Sequence, residues 1–151
     1  IRERTLGPDH PATATSLNNL AGLLSKQGEY AAARPLYERA LAIRERTLGP
    51  DHPATATSLN NLAGLLSKQG EYAAARPLYE RALAIRERTL GPDHPATAAS
   101  LNNLAGLLSK QGEYAAARPL YERALAIRER TLGPDHPQTR QARDRLRKLR
   151  G

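Results

Sequence analysis

Residues 54–95 read ATATSLNNLAGLLSKQGEYAAARPLYERALAIRERTLGPDHP, and nearly all the rest of the chain is this stretch again. Residues 12–53 are identical to it. Residues 96–137 differ at one position, where Thr15 and Thr57 are matched by Ala99. Residues 1–11 repeat the last eleven positions of the unit, and residues 138–151 begin a fourth copy that diverges. Self-similarity at a fixed period of 42 residues is the mark of a stacked repeat array. Every chemical group then recurs once per unit. That suits a repeated contact surface better than an active site, where different groups converge on one point.

The unit reads as two helices. Gly49-Pro50 stops the preceding helix, and Asp51 is placed to cap the next one, with Pro53 in its first turn where a missing N–H costs nothing. A first helix, A, is expected over about 52–69, closing at Gly70. A second, B, is expected over about 71–90, bending slightly at Pro77. At 100° per residue, Ala56, Leu59, Leu62, Ala63 and Leu66 share one face of helix A, and Leu65 and Ser58 widen the apolar arc. The remaining sector holds Thr57, Asn60, Asn61, Gly64, Ser67 and Lys68, polar and free of acids. Helix B is expected to bury Ala75, Leu78, Tyr79, Ala82 and Leu83 and to expose Arg76, Glu80, Ala84 and Glu87. A single unit offers too little apolar surface to offset the entropy of ordering its chain, so neighbours must supply stability.

The net charge of +8 is not spread evenly. Residues 1–11 are neutral, each unit carries +1, and residues 138–151 carry +5. The body is therefore not a polyanion-binding surface. With no Cys, disulfides and thiolate metal sites are excluded. No apolar run is long enough to span a bilayer, so no membrane partner is expected. A cytoplasmic protein is the default, and the Arg/Ala/Leu/Gly/Pro bias suits a GC-rich bacterial gene. The chain does not begin with Met, so an upstream targeting segment stays open.

His10, His52, His94 and His136 each sit in a PDHP turn. Successive copies fall roughly 20 Å apart on helices packed at 8–10 Å, too far to share a metal, and a capped turn is the better reading. No Ser/His/Asp set singles out a nucleophile, so neither an enzyme nor a cofactor is expected. Arg44, Arg86 and Arg128, near the middle of the apolar arc of helix B, are expected to pack their stems and pair with a neighbouring acid.

The pattern Leu59, Leu62, Ala63, Leu66, Ala75, Tyr79, Ala82 and Pro92 resembles the tetratricopeptide repeat, with Leu for Trp and the first Tyr, Ala for Gly and Tyr for Phe. The longer period, with the LNNLA, ALAIRE and LGPDHP segments, is similar to the 42-residue repeats of kinesin light chains. The resemblance implies an all-α, right-handed superhelical solenoid of antiparallel helix pairs. Its A helices would line a concave groove that binds extended peptides. It further implies that repeated Asn side chains grip peptide backbone. The candidate peptide-binding set is Thr15, Asn18, Asn19, Lys26, Thr57, Asn60, Asn61, Lys68, Asn102, Asn103 and Lys110, where the lysines add positive charge. One Asn of each pair could instead bond between repeats.

Within 138–151, Arg143, Arg147 and Arg150 replace the Leu, Ala and Leu that face a unit's own helix B, while Leu146 and Leu149 are kept. A terminal helix that packs backward on repeat 3 needs that division. The expected organisation is the end of a preceding helix B plus loop over 1–11, repeats over 12–53, 54–95 and 96–137, and a capping helix over 138–151. A non-enzymatic scaffold for an acidic or C-terminal peptide is the leading function. The alternatives are a structural spacer or self-assembling array, and nucleic-acid binding through the Arg-rich end. Leu20 and Leu23 lie on the stripe facing the preceding repeat, of which the chain holds only residues 1–6. Weak self-association through them is expected.

Overall fold

The structure, a computed structural model, describes residues 10–149. The expectations placed on residues 1–6 and on Arg150 lie outside these. The described helices are α1 (Pro11–Lys26), α2 (Tyr30–Thr47), α3 (Pro53–Lys68), α4 (Tyr72–Thr89), α5 (Pro95–Lys110), α6 (Tyr114–Leu132) and α7 (Pro137–Lys148). Among the described residues there is no strand, so the fold is all-α, built of helix pairs. Contacts divide the chain into two compact units, Ile1–Ile85 and Arg86–Gly151.

Helix starts follow from proline. The residue before a proline is pushed into extended geometry, and His52 has φ −82° and ψ 144°. This makes His52 the N-cap, and its ring Nδ1 accepts from the Ala54 N–H at 2.9 Å. His10, His94 and His136 do the same for Ala12, Ala96 and Gln138. The cap expected at Asp51 is thus displaced by one residue, because Pro53 fixes the first helical position. The histidines are capping groups. Among the described residues no cluster of potential metal ligands exists.

Helix α3 ends in paired reverse bonds. Gly70, at φ +80°, donates to the Ser67 carbonyl at 3.0 Å, and the Glu71 N–H donates to that of Leu66 at 2.8 Å. Only glycine adopts this left-handed geometry without strain. The tight turn sends the chain straight into α4, which continues through Pro77.

In the first unit, Ala14 and Leu17 of α1 pack with Ala40 and Ile43 of α2. Ala56 and Leu59 of α3 pack with Ala82 and Ile85 of α4, and Leu41 of α2 joins that second cluster. The fully buried Leu59 alone is worth roughly 1.5–3 kcal/mol. Leu41 shows where two repeats of this unit depend on each other: α2 of one covers α3 of the next. Leu62 and Leu65 of α3, which has α2 before it, are 7% and 2% exposed, whereas the equivalent Leu20 and Leu23 of α1 are 48% and 54% exposed. In the second unit Leu101, Leu104, Ala105 and Leu108 of α5 and Ala117, Tyr121, Ala124 and Ile127 of α6 are buried, and α7 packs on α6 through the fully buried Ala142 and Thr139.

Candidate interaction surfaces

Helix A of each unit carries LNNLAGLLSK, with an Asn pair on the face turned from the apolar arc. In the first unit Asn18, Asn19, Gly22, Leu23 and Lys26 of α1, Tyr37 of α2 and Asn61 of α3 line an open cleft of about 440 Å³. Asn19 and Lys26 are exposed, and Asn61 is half-buried. Four others of the candidate set, Asn18, Lys68, Thr15 and Thr57, have structural bonds. The Asn18 amide donates to Ser58 Oγ at 3.4 Å, joining α1 to α3. Lys68 Nζ donates to Ser25 Oγ at 3.4 Å, again between successive A helices. The hydroxyls of Thr15 and Thr57 donate to the carbonyls of Pro11 and Pro53 in their own helices at 3.4 and 3.3 Å. Asn60 is half-buried. In the second unit Asn103 and Lys110 are exposed, and Asn102 is 4% exposed.

Arg44 departs from its expected pairing with an acid. Its guanidinium donates to the Ala54 carbonyl and to Ser58 Oγ, both at 3.1 Å, and to Thr15 Oγ1 at 3.2 Å. One side chain of α2 thereby ties α1 to α3. Arg86 makes the corresponding bonds to α5, to the Ala96 carbonyl at 3.2 Å and to Ser100 Oγ at 3.1 Å. The physical reason is that helix A contains no acid, so it offers only hydroxyls and carbonyls where the arginine enters. Burial pushes both guanidiniums below the usual arginine range, yet they stay charged. Acids of the B helices and of the turns before them pair instead with partly exposed arginines, as in Arg34–Glu71 at 3.0 Å and Arg81–Glu45 at 2.7 Å. Sequence reasoning missed Ser25 and Ser58 as bonding partners. Their recurrence on the border of the apolar arc was the available signal.

Helix α7 ends the second unit differently. Arg128, the counterpart of Arg44, keeps one backbone bond, to the Gln138 carbonyl at 3.5 Å. The two hydroxyls that Arg44 uses are replaced here by Ala99 and Ala142. Asn102 likewise faces the position of Ala142 where Asn18 finds Ser58, and neither its amide nitrogen nor its oxygen has a partner. Arg143 pairs with Glu129 at 3.5 Å and reaches the Pro134 carbonyl at 3.2 Å, while Arg147 pairs with Asp144. Leu146 and Leu149 are half-buried. Ser109, Tyr114, Tyr121, Arg145, Lys148 and Leu149 line a cleft of about 280 Å³ between the end of α5, α6 and α7.

A tetratricopeptide repeat family model matches residues 1–46, 17–88, 59–130 and 101–146. The chain belongs to the tetratricopeptide repeat family. Among solved structures it is similar to a putative kinesin light chain with nearly identical TPR-like repeats from Podosopora anserina, at 31% identity and TM-score 0.84. That match covers 91% of this chain and 65% of the other. It is also similar to BtubC (BKLC) from P. vanneervenii, at 28% identity and TM-score 0.83, covering 91% of this chain and 55% of that one. This chain therefore spans between half and two thirds of the length of these kinesin-light-chain-like relatives. The N-terminal domain of stress-induced protein-1 from C. elegans, at 18% identity and TM-score 0.65 over 91% of this chain and 97% of that one, shares the fold. No curated protein sequence matches the chain. Tetratricopeptide repeats are protein-interaction modules, and among the described residues no helix is long and apolar enough to cross a membrane.

Proposed function

We propose that the chain is a non-enzymatic scaffold that holds an extended peptide, acidic or presenting its C-terminus, on the polar face of its A helices. The observation that carries this reading is the cleft of the first unit, where exposed Asn19, half-buried Asn61 and the cation Lys26 converge. An Asn amide donates and accepts at once, so a row of them matches the alternating N–H and C=O of an extended backbone without reading its sequence. Lys26 adds a preference for acidic side chains. Asn18, tied to Ser58, serves as the fixed wall. The working organisation is repeats over 12–53, 54–95 and 96–137 with a capping helix over 138–151, in a bacterial cytoplasm.

The test uses fluorescence anisotropy of a labelled decapeptide of alternating glutamate and serine. Asn61→Ala is expected to weaken it about fivefold, the loss of a contact of about 1 kcal/mol, with thermal stability nearly unchanged. Unaltered affinity accompanied by lost stability would make Asn61 a structural bond and overturn the reading. A second property is supported by Leu20 and Leu23, whose exposures of 48% and 54% leave an apolar stripe on α1. Two copies pairing these residues about a two-fold axis would bury it, giving weak dimers at high concentration. Sedimentation should then show association that Leu20→Glu with Leu23→Glu abolishes.

A further inference from the structure

Gly22 stands in the interior of α1, lines the cleft of the first unit, and has no positive φ that would require a glycine. Inside a helix glycine is worse than alanine, because it loses more backbone freedom on folding. Beyond its own helix and chain neighbours, a methyl built there would meet one atom, the Tyr37 hydroxyl oxygen, at 3.6 Å, an ordinary contact. Neither packing nor backbone geometry gives a reason for the glycine. What it does is leave that hydroxyl uncovered.

Tyr37 supplies an independent observation. Its ring is buried, with 8% of the residue exposed, yet it lines the same cleft, and among the described residues its hydroxyl has no hydrogen-bond partner. A phenylalanine would fill the same space without leaving a polar atom unpaired, which costs free energy wherever water is held back. Burial raises the phenol above its ordinary value, so at neutral pH the oxygen carries a proton to donate. The arrangement recurs in the other repeats, at 3.5 Å between Gly64 and the Tyr79 hydroxyl and at 3.7 Å between Gly106 and that of Tyr121.

We infer that the gap over Gly22 is a binding window, through which the Tyr37 hydroxyl donates to a backbone carbonyl of an extended peptide, and that this carbonyl must belong to a residue with a small side chain. The inference rests on reading the cleft as a peptide site, and adds a donor from the B helix and a size rule for the ligand. The size rule follows from the recess. A hydroxyl bond of about 2.7–2.8 Å brings the acceptor down to the level where a side chain of residue 22 would have been. Asn18 and Lys26, one turn before and after Gly22, wall the gap along the helix. A branched side chain beside the carbonyl is stopped by these walls before the bond can close.

The experiment uses the full chain and two fluorescein-labelled decapeptides, alternating glutamate with alanine in one and with valine in the other. The alanine peptide is expected to bind about fivefold tighter, although valine favours the extended backbone. Tyr37→Phe, with Tyr79→Phe and Tyr121→Phe so that no equivalent window remains, keeps the rings and removes the donors. It should weaken the alanine peptide to the level of the valine peptide. Gly22→Ala with Gly64→Ala and Gly106→Ala should do the same by covering the hydroxyls, with a melting temperature at or above that of the parent. Asn61→Ala should weaken both peptides and leave their ratio, so failure of the amide reading and failure of this one give different patterns. Equal binding of the two peptides by the parent, no binding of the alanine peptide at millimolar concentration, or a ratio that survives loss of the hydroxyls would overturn the inference. A fall in melting temperature for the alanine variant would make the glycines packing residues and overturn the window as well.

Discussion

Arg44 and Arg128 sit in identical helices and end in different company. At the junction within the first unit, Arg44 makes three bonds of 3.1–3.2 Å to two successive A helices, and Asn18 adds a fourth link to the same Ser58. At the junction between α6 and α7, Arg128 keeps one bond of 3.5 Å, and Asn102 is buried with none. Two changes, Ala99 for Thr and Ala142 for Ser, account for the lost hydroxyl partners. The lesson concerns where a repeat's polar bonds come from. They belong to the pair of neighbours, and a helix that is not a full repeat leaves half of each bond behind.

The largest expected effect tests that contrast directly. Arg44→Ala removes three charge-assisted bonds and leaves Asn18 as the one inter-helix partner of Ser58, and should cost about 2–3 kcal/mol. Arg128→Ala should cost under about 1 kcal/mol, chiefly lost stem packing. Urea unfolding of the two variants measures both. Equal losses would mean that the bonds counted at Arg44 contribute little and that the junctions are energetically alike.

A smaller effect runs the comparison backward. Ala99→Thr with Ala142→Ser restores the hydroxyls that Arg128 and Asn102 lack, in a backbone that already accepts them in the other units. Satisfying a buried amide and a half-buried guanidinium should add about 1 kcal/mol, seen as a raised urea midpoint that Arg128→Ala cancels. A lowered midpoint would show that α7 sits on α6 in a register of its own.

The helices were legible almost to the residue, because proline and glycine punctuate every unit and the apolar spacing is repeated three times. The cap was off by one, since the constraint that a proline places on the residue before it outweighs the preference of Asp51 for capping. The role of Arg44 was not legible. Its partners lie 10, 14 and 29 residues away and are brought together only by stacking. The same holds for the Asn pairs: wheel geometry puts both on the polar face, but only the neighbouring helix decides that Asn18 bonds Ser58 while Asn19 faces solvent. Alignment singled out Arg143 and Arg147 in the last helix and passed over Arg145 and Lys148. That Tyr114 and Tyr121 would face them required the packing of α6 on α7.

The smallest effect reports how closed the intact junction is. Burial raises the phenols of Tyr37 and Tyr79 above the ordinary value of about 10. Folding therefore favours their neutral form. The stability this contributes is fully present below about pH 10, the unfolded value, and is lost as pH rises through the higher folded values. Ultraviolet titration of the six tyrosines should accordingly show a late fraction that ionises together with loss of helix. Tyr37→Phe should remove part of that fraction and move the alkaline transition upward. At neutral pH it should leave stability within about 0.5 kcal/mol, since the phenol oxygen gives up no hydrogen bond. If Tyr37 instead ionises early with the helix intact, the cleft it lines admits water freely, and the closed junction drawn from Arg44 and Asn18 must be looser than their bond lengths imply.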